Sequence, residues 1–476
     1  MFKKILIANR GEIALRIEKS CTLLGIKTVI IYTESDKDSL AARSAKESYQ
    51  VDNYLNMEQI ICIARACGAD AIHPGYGFLS EDQEFNRFCK QNGLAFIGPS
   101  LEVMERLGNK VITKRILEEN HIPIIKEYQW PYDKIYFPVM IKAKKGGGGK
   151  GIYHVQNQTE FEKVLTLKRE NFQQHFYVEQ FIPNPRHIEV QIIGDKYGNV
   201  LHLGERDCSI QRRNQKIVEE SPAPNLSDSL RTKILETALQ VGRIFHYDNI
   251  GTVEFLLSED HLYFLEINPR IQVEHGVTEA VTGLDLVKEQ IKIAIGEKIQ
   301  LLQDGVLSKG HAIECRICAE SPLSNFTPSP GQIQDYNPPP DKGIRIDSDC
   351  YPGYKVKHNY DSLLSKLIVW GENREEAILK MEKALGDYVI TGVEHTIPLL
   401  LIVMQHPQFR KGEIDTSFLW SRNILQLLSQ EQEELRIGAI LCAAIIQHFK
   451  EQRRTEKQLK QDPWMKAVLG ANISLW

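Results

Sequence analysis

The stretch that most constrains the chain is Gly251 to His275, Gly-Thr-Val-Glu-Phe-Leu-Leu-Ser-Glu-Asp-His-Leu-Tyr-Phe-Leu-Glu-Ile-Asn-Pro-Arg-Ile-Gln-Val-Glu-His. Val253, Phe255 and Leu257 alternate with Thr252, Glu254 and Leu256, a polar Ser-Glu-Asp-His turn follows, and a second strand begins at Leu262. Period-2 alternation around a turn predicts a β-hairpin. Folded about Asp260, it sets Glu254 opposite Glu266. Cross-strand neighbours lie about 5 Å apart and like charges there repel, so the pair needs a proton or a cation between them. A hard cation with oxygen ligands, Mg²⁺ foremost, meets that need. In an extended chain Glu266, Asn268, Arg270, Gln272 and Glu274 share one face, backed by Ile267, Pro269, Ile271 and Val273. A solvated strand also alternates. The order acid, amide, arginine, amide, acid, after another acid across a turn, favours a site.

The 476 residues suffice for two to four domains. A formal net charge of −4 argues against a nucleic-acid binder held by a basic surface. No run of about 18 apolar residues is present, so no membrane-spanning helix is expected. The apolar run after Lys3-Lys4 is too short for a signal peptide and reads as a buried strand. Nine scattered cysteines suit a reducing, cytoplasmic setting. Cys315 and Cys318 have no second pair and read as strand residues rather than metal ligands.

Residues 4–9, 29–32, 71–73 and 95–97 read as strands, with helices from Gly11 to about Leu24 and through Cys62–Cys67. This alternation predicts a doubly wound, Rossmann-like α/β domain over about residues 1–105. Its first turn, Ala-Asn-Arg-Gly-Glu, lacks a dinucleotide fingerprint, and no Walker A sequence occurs. His73-Pro-Gly-Tyr-Gly-Phe78 follows a strand and suits either a cleft or a structural turn. Pro138 to Gly151 carries Lys142 on a strand, then Gly146, Gly147, Gly148 and Gly149 flanked by Lys144, Lys145 and Lys150. Glycine lets backbone N–H groups approach phosphate oxygens closely, so phosphate cradling is favoured over a linker. His187, Glu189 and Gln191 share one parity. The run Glu205 to Glu220 is too charged for a core and reads as a solvated loop, with a functional role the lesser alternative. From about Gly310 the chain turns strand-rich, around His311–Ala319, Gly343–Asp347 and Lys366–Trp370. A helix from Arg374 to about Leu385 and another from Gln430 to Gln452 are expected, the latter with Leu435, Cys442, Ile445 and Phe449 near one face and Gly438 on it.

Seven runs carry a resemblance over Met1 to about Trp420: Ile-Ala-Asn-Arg-Gly-Glu-Ile-Ala, His-Pro-Gly-Tyr-Gly-Phe-Leu-Ser-Glu, the glycine loop, Pro-Arg-His-Ile-Glu-Val-Gln, Glu-Arg-Asp-Cys-Ser-Ile-Gln-Arg-Arg, Glu-Ile-Asn-Pro-Arg-Ile-Gln-Val-Glu-His and Tyr-Asp-Ser-Leu-Leu-Ser-Lys-Leu-Ile. Together they resemble biotin carboxylase, the ATP-grasp component of the biotin-dependent carboxylases. The resemblance implies an α/β fold, α+β overall. A biotin carboxylase N-terminal domain is expected over 1–110, an ATP-grasp domain over 111–309 with a lid at roughly 127–185, a strand-rich C-terminal domain over 310–423 and a helical tail over 424–476. It implies ATP- and bicarbonate-dependent carboxylation of biotin through carboxyphosphate, with ATP and Mg²⁺ or Mn²⁺. Glu254 and Glu266 with Asn268 would hold the metal. Lys110, Lys142, Gly146–Gly149, Glu179, His187, Gln211 and Asn214 would join Glu254 and Glu266 at ATP. Lys216, Arg270, Gln272 and Val273 would hold bicarbonate, Glu274 would be the general base and Arg316 would stabilise the biotin enolate.

Some positions depart from the family pattern. Asn214 stands in place of His, Lys150 in place of Arg and Asn109 in place of Asp. The segments Lys126–Pro138 and Gly151–Glu179 are shorter than usual, which bears on the lid and on ATP affinity. The presumed catalytic set is complete, so an active ligase is expected. No Met-Lys-Met biotinyl turn and no carboxyltransferase region occur in the sequence. The expected setting is therefore a homodimeric component of an acetyl-CoA, acyl-CoA or pyruvate carboxylase built from several subunits. Its partners would be a separate biotin carboxyl carrier protein and a carboxyltransferase, not nucleic acid or a membrane. Two other readings remain, another ATP-grasp carboxylate ligase or a nucleotide-binding paralogue without turnover.

Overall fold

The computed structural model describes residues 1–129, 132, 134–144, 151–167, 172–340 and 343–461, without the side chains of 173–174, 438–439, 443–444 and 447–461. Lys145, the glycine loop Gly146–Gly149 and Lys150 lie outside the described residues, as do the surroundings of Gly438 and the side chain of Phe449. Residues Met1–Arg422 form one compact unit and Asn423–Trp476 a second.

The N-terminal segment folds as expected from its alternation. Its parallel sheet has the order Ser48–Gln50, Lys27–Tyr32, Lys4–Ile7, Ala71–His73, Ala95–Phe96. Ile5 and Ile7 pack to one side and Leu6 and Ala8 to the other, so both faces are covered. Helix starts match the polar residues before them. Asn56 caps Met57–Ala66 through the N–H of Gln59, and Asp82 caps Gln83–Gln91 through that of Phe85.

The site is built on an antiparallel sheet of eight strands. Their order is His261–Asn268, Ile250–Ser258, Arg186–Gly194, Val200–Arg212, Gln215–Ser221, His311–Cys318, Leu363–Gly371, Ile344–Ser348. The apolar parity of the hairpin packs behind it, with Val253, Phe255, Leu257, Leu262, Phe264 and Ile267 in one core with Ile188, Val190 and Ile192. A smaller antiparallel sheet carries Lys142 on Val139–Ala143, between Ile152–Val155 and Phe176–Gln180.

Three expectations need correction. The run Glu205 to Glu220 is not a solvated loop. It forms two inner strands of the large sheet, and Glu205, Arg206, Asp207, Glu219 and Glu220 are at most 2% exposed. The reason is mutual neutralisation by distant residues: Arg231 meets Glu205, Arg186 meets Asp207 and Arg374 meets Glu220. Second, the polar face does not stay extended to Glu274. The strand stops at Asn268, before a proline that has no N–H for the ladder, and Glu274 becomes the N-cap residue of helix His275–Thr282. Third, the tail helix is longer than the pattern suggested and runs Ile424–Gln461. No helix among the described residues is long and apolar enough to cross a membrane.

Candidate functional site

Sheet register sets four charged residues in one transverse row. Glu266 pairs with Glu254, Glu254 with Glu189 and Glu189 with Arg206, each from a neighbouring strand. Directly opposed residues share a face, so three carboxylates stand side by side. The cation demanded by the hairpin is met within the protein. Lys110 Nζ lies 2.8 Å from Glu266, and His187 Nε2 lies 2.9 Å from Glu254. Lys216 Nζ is 3.0 Å from Glu254 and 2.6 Å from Glu274, and it also closes on Glu189. Burial alone would raise the Glu254 carboxyl, but Lys216 and His187 outweigh it and hold it well below the usual carboxylate range.

Asn268 Nδ2 and Gln272 Nε2 donate to Glu254 Oε1 at 2.8 and 3.0 Å. A half-turn of the Asn268 amide offers its oxygen instead. Glu254, Glu266 and Asn268 then present the hard oxygen donors that Mg²⁺ takes. The ammonium of Lys110 already stands against Glu266, where positive charge is needed. These residues fit the metal.

From Glu254 the contacts run on without a break. Gln272 Oε1 accepts from Arg270 Nη1 at 2.8 Å, and Arg270 Nε donates to Glu81 at 2.6 Å. Glu274 is 1% exposed, with Lys216 on one oxygen and Arg316 Nη2 at 2.8 Å on the other. Burial would raise its pKa, but Lys216, Arg316 and Arg206 prevail and set it well below the ordinary value. Arg316 is held from behind by Glu219, whose burial pushes its carboxyl up to about 7 against the pull of Arg316.

On the other side of the row, Lys142 Nζ lies 2.7 Å from Glu179. Burial, then the like charges of Lys114 and Lys110, push Lys142 down to about 7. Lys114 itself closes on Glu179 and lies 3.3 Å from Glu127. Gln211 Nε2 meets His187 Nδ1 at 2.8 Å. The structure thus brings Lys110, Glu254, Glu266, Asn268, Lys216, Arg270, Gln272, Glu274, Arg316, His187 and Gln211 into connected contacts, and Lys142 with Glu179 into a second group. Val273 joins through its backbone, its carbonyl accepting from Lys366 at 2.9 Å. Asn214 stands apart. It is exposed in the turn between two strands at φ 61°, and no hydrogen bond or ion pair among the described residues links it to the others.

Sequence reasoning passed over Glu189, Arg206, Glu219, Glu81 and Lys114 as site residues. For Glu189 a signal existed, since it shares parity with His187 and Gln191 in an otherwise apolar strand. Arg206 and Glu219 lay inside the run read as a loop.

Three family models match the chain in succession. They are "Biotin carboxylase, N-terminal domain" over residues 1–104, "Carbamoyl-phosphate synthase L chain, ATP binding domain" over 103–302 and "Biotin carboxylase C-terminal domain" over 314–421. Biotin carboxylase 1 of Bacillus subtilis is 44% identical over 448 residues, 89% of this chain and 100% of that protein. A pyruvate carboxylase subunit of Methanothermobacter thermautotrophicus is 44% identical over 440 residues, 88% of this chain and 90% of that one. The biotin carboxylase domain dimer of Hydrogenobacter thermophilus 2-oxoglutarate carboxylase, solved with MgADP, ADP and bicarbonate, superposes with a TM-score of 0.85. It is 43% identical and is matched over 89% of this chain and 98% of that one.

Proposed function

The chain belongs to the biotin carboxylase family, and from that premise we propose that it carboxylates biotin on a carrier protein at the expense of ATP and bicarbonate. One observation carries the reading: Glu274 lies between Lys216 and Arg316, in unbroken contact with Gln272, Arg270 and the acidic row. Lys216, Arg270, Gln272 and the Val273 N–H hold bicarbonate. Lys110, Lys142, Glu179, His187, Gln211 and Asn214, with the glycine loop Gly146–Gly149, receive the nucleotide. Mg²⁺ held by Glu254, Glu266 and Asn268 screens phosphate charge during transfer.

Phosphoryl transfer needs in-line positioning more than covalent help. A bicarbonate oxygen attacks the γ-phosphorus, the bond to the β–γ bridging oxygen breaks, and ADP leaves. Glu274 takes the bicarbonate proton. Its depressed pKa in the free protein makes it a weak base, since general bases work best near the operating pH. Bicarbonate drawing on Lys216 and biotin drawing on Arg316 relieve that depression, so the base strengthens as the substrates arrive. Carboxyphosphate breaks into CO₂ and phosphate, and the phosphate takes the N1 proton of biotin. N1 then attacks CO₂ while the Arg316 guanidinium faces the enolate oxygen, a geometry suited to its planar fork.

The assembly is proposed as a cytoplasmic homodimer that serves a separate carrier and a carboxyltransferase. The dimeric Hydrogenobacter domain and the near-full overlap with a component of a pyruvate carboxylase support it. Those relatives differ in final acceptor, pyruvate in one and 2-oxoglutarate in the other. The division at 110, 309 and 423 is proposed on the same footing.

The test is ADP release by the purified chain with MgATP and bicarbonate, with and without free biotin. Bicarbonate-dependent, biotin-stimulated release is expected. Nucleotide binding without release would refute turnover, and release indifferent to biotin would refute the acceptor.

A further inference from the structure

Lys366 is a buried lysine to which no role in the reaction has been assigned. It sits in the strand Leu363–Gly371 among Leu364, Leu367, Ile368 and Val369 and is 0% exposed. Its register partners are Arg316 on one side and Asp347 on the other. A hydrocarbon side chain of similar length would fill this place without the cost of desolvating an ammonium. The ammonium instead makes three contacts from three distant segments. It donates to the Val273 carbonyl at 2.9 Å, lies 3.1 Å from Glu12 and lies 3.6 Å from Asp347. Glu12, in the first turn of helix Gly11–Leu23, is clasped by the hydroxyl of Tyr76. Asp347 is gripped by Arg345 Nη2 at 2.6 Å.

The contact at Val273 has a directional consequence. In a trans peptide the C=O and the following N–H point opposite ways. Lys366, by holding the Val273 carbonyl, therefore aims the Glu274 N–H. The preceding peptide is held in the same manner. His275 is 0% exposed and its Nδ1 lies 2.8 Å from the Gln272 carbonyl. Burial first, then the cations Lys366, Arg16 and Arg345, keep this ring neutral, so Nδ1 carries its proton toward that carbonyl. The bond aims the Val273 N–H away from Gln272 O. Both peptide planes beside Val273 are thus anchored by buried side chains, and one of these anchors is itself fixed by the N-terminal and C-terminal segments.

We propose that Lys366 is a positioning residue. Tied to Glu12 and Asp347, it sets the Val273–Glu274 peptide so that bicarbonate and the general base meet. This rests on the bicarbonate reading of Gln272, Val273 and Glu274. It gives the Tyr-Asp-Ser-Leu-Leu-Ser-Lys motif, and Tyr76 in the His73–Phe78 turn, a shared purpose.

The test is amide hydrogen exchange on the full chain, resolved to peptides over residues 271–276, together with separate KM values for bicarbonate and MgATP. Lys366→Met should speed exchange in that peptide by at least about tenfold, the loss of one charged hydrogen bond, while the hairpin 251–268 keeps its parent rate. The bicarbonate KM should rise by a similar factor and the MgATP KM should stay within about twofold. Lys366→Arg should recover most of the protection. Parent-like exchange together with a parent-like bicarbonate KM would overturn the role. If Lys366→Met does not fold, the double variant with Glu12→Gln removes the orphaned carboxylate, and the same two outcomes decide. Exchange is read without turnover, so a parent chain that ignores bicarbonate would refute the reaction and still leave Lys366 decided by its own peptide.

Discussion

Arg206→Met asks how much a fully buried charge in the acidic row stabilises the fold. Arg206 is 0% exposed, and each of its three nitrogens donates a hydrogen bond. Nε donates to Glu189 at 2.5 Å, Nη1 to Gln191 and to Thr278 at 2.8 Å each, and Nη2 to Thr252 at 3.1 Å. Methionine fills much of the same volume but leaves Glu189 to Lys216 alone and strips Gln191 Oε1 of its partner. Breaking a buried ion pair from one side costs about 3–5 kcal/mol, and an unpaired buried acceptor adds about 1–3 kcal/mol. Unfolding entropy of about 2.1 cal/mol/K per residue over the unit Met1–Arg422 comes to about 0.9 kcal/mol/K. The expected fall in Tm is therefore about 4–9 °C, read by calorimetry at pH 7. Arg115→Met is the control, because its pair with Glu119 is 3.6 Å long and 72% and 66% exposed. Such a pair is worth under about 1 kcal/mol and should move Tm by about 1 °C at most. Adding Glu189→Gln to Arg206→Met neutralises the stranded carboxylate and should restore at least half of the loss. A fall in Tm no larger than that of the control, or no recovery in the double variant, would refute the claim that this row is electrically closed.

Burial holds Lys142 at about 7 in the free protein, and a bound phosphate would restore its charge. ADP binding should then take up a proton and weaken as pH rises from 7 to 9, by up to about tenfold per unit. Titration calorimetry in two buffers reads both effects, and Lys142→Met should flatten the slope. Glu274→Gln should cut bicarbonate-dependent ADP release by at least about 10²-fold with ADP affinity little changed; near-parent turnover would exclude Glu274 as the base. Glu220 is held at about 2, Arg374 and His311 outweighing its burial. Its folded pKa is depressed, so its stabilisation is complete above about pH 4.5 and is lost as pH falls toward 2. The Tm gap between parent and Glu220→Gln should accordingly narrow between pH 5 and pH 3, and a gap independent of pH would refute the assignment.

What could be read from the residues depended on how far each one's partner lay along the chain. The hairpin was legible because Glu254 and Glu266 are close in sequence and the period-2 pattern set their pairing, which the register reproduces. The N-terminal sheet was legible because strand and helix alternate within short spans. The run Glu205 to Glu220 was misread because its charges are answered from far away, Arg206 by Glu189, Glu219 by Arg316 and Glu220 by Arg374. Composition alone cannot separate a solvated charge from one neutralised inside. The polar parity after Asn268 failed for a different reason. Alternation continues through Glu274 along the sequence, but Pro269 ends the ladder, so Arg270, Gln272 and Glu274 reach the site from a turn. Lys366 offered a signal that periodicity does not score: a single lysine inside an apolar strand requires a buried partner.

These partnerships also explain how so many charges can stand together in a largely buried site, with only Lys110 and Glu266 among them about a third exposed. Lys110 stands on Glu266, Lys142 on Glu179, Lys216 on Glu254 and Arg316 on Glu274. Isolated, each ion would lose several kcal/mol of hydration on burial; paired, their charges largely offset one another. Each pair also joins two groups that the proposed reaction needs separately, a cation for phosphate, bicarbonate or enolate and a carboxylate for the metal or the proton. Substrate entry then becomes an exchange of partners within a fixed frame. In that reading phosphate oxygens would take over lysines as the metal takes over carboxylates. An exchange of this kind calls for a backbone already held in place, and the contacts of Lys366 and His275 on the peptides beside Val273 and of Arg206 on Glu189 are of that kind.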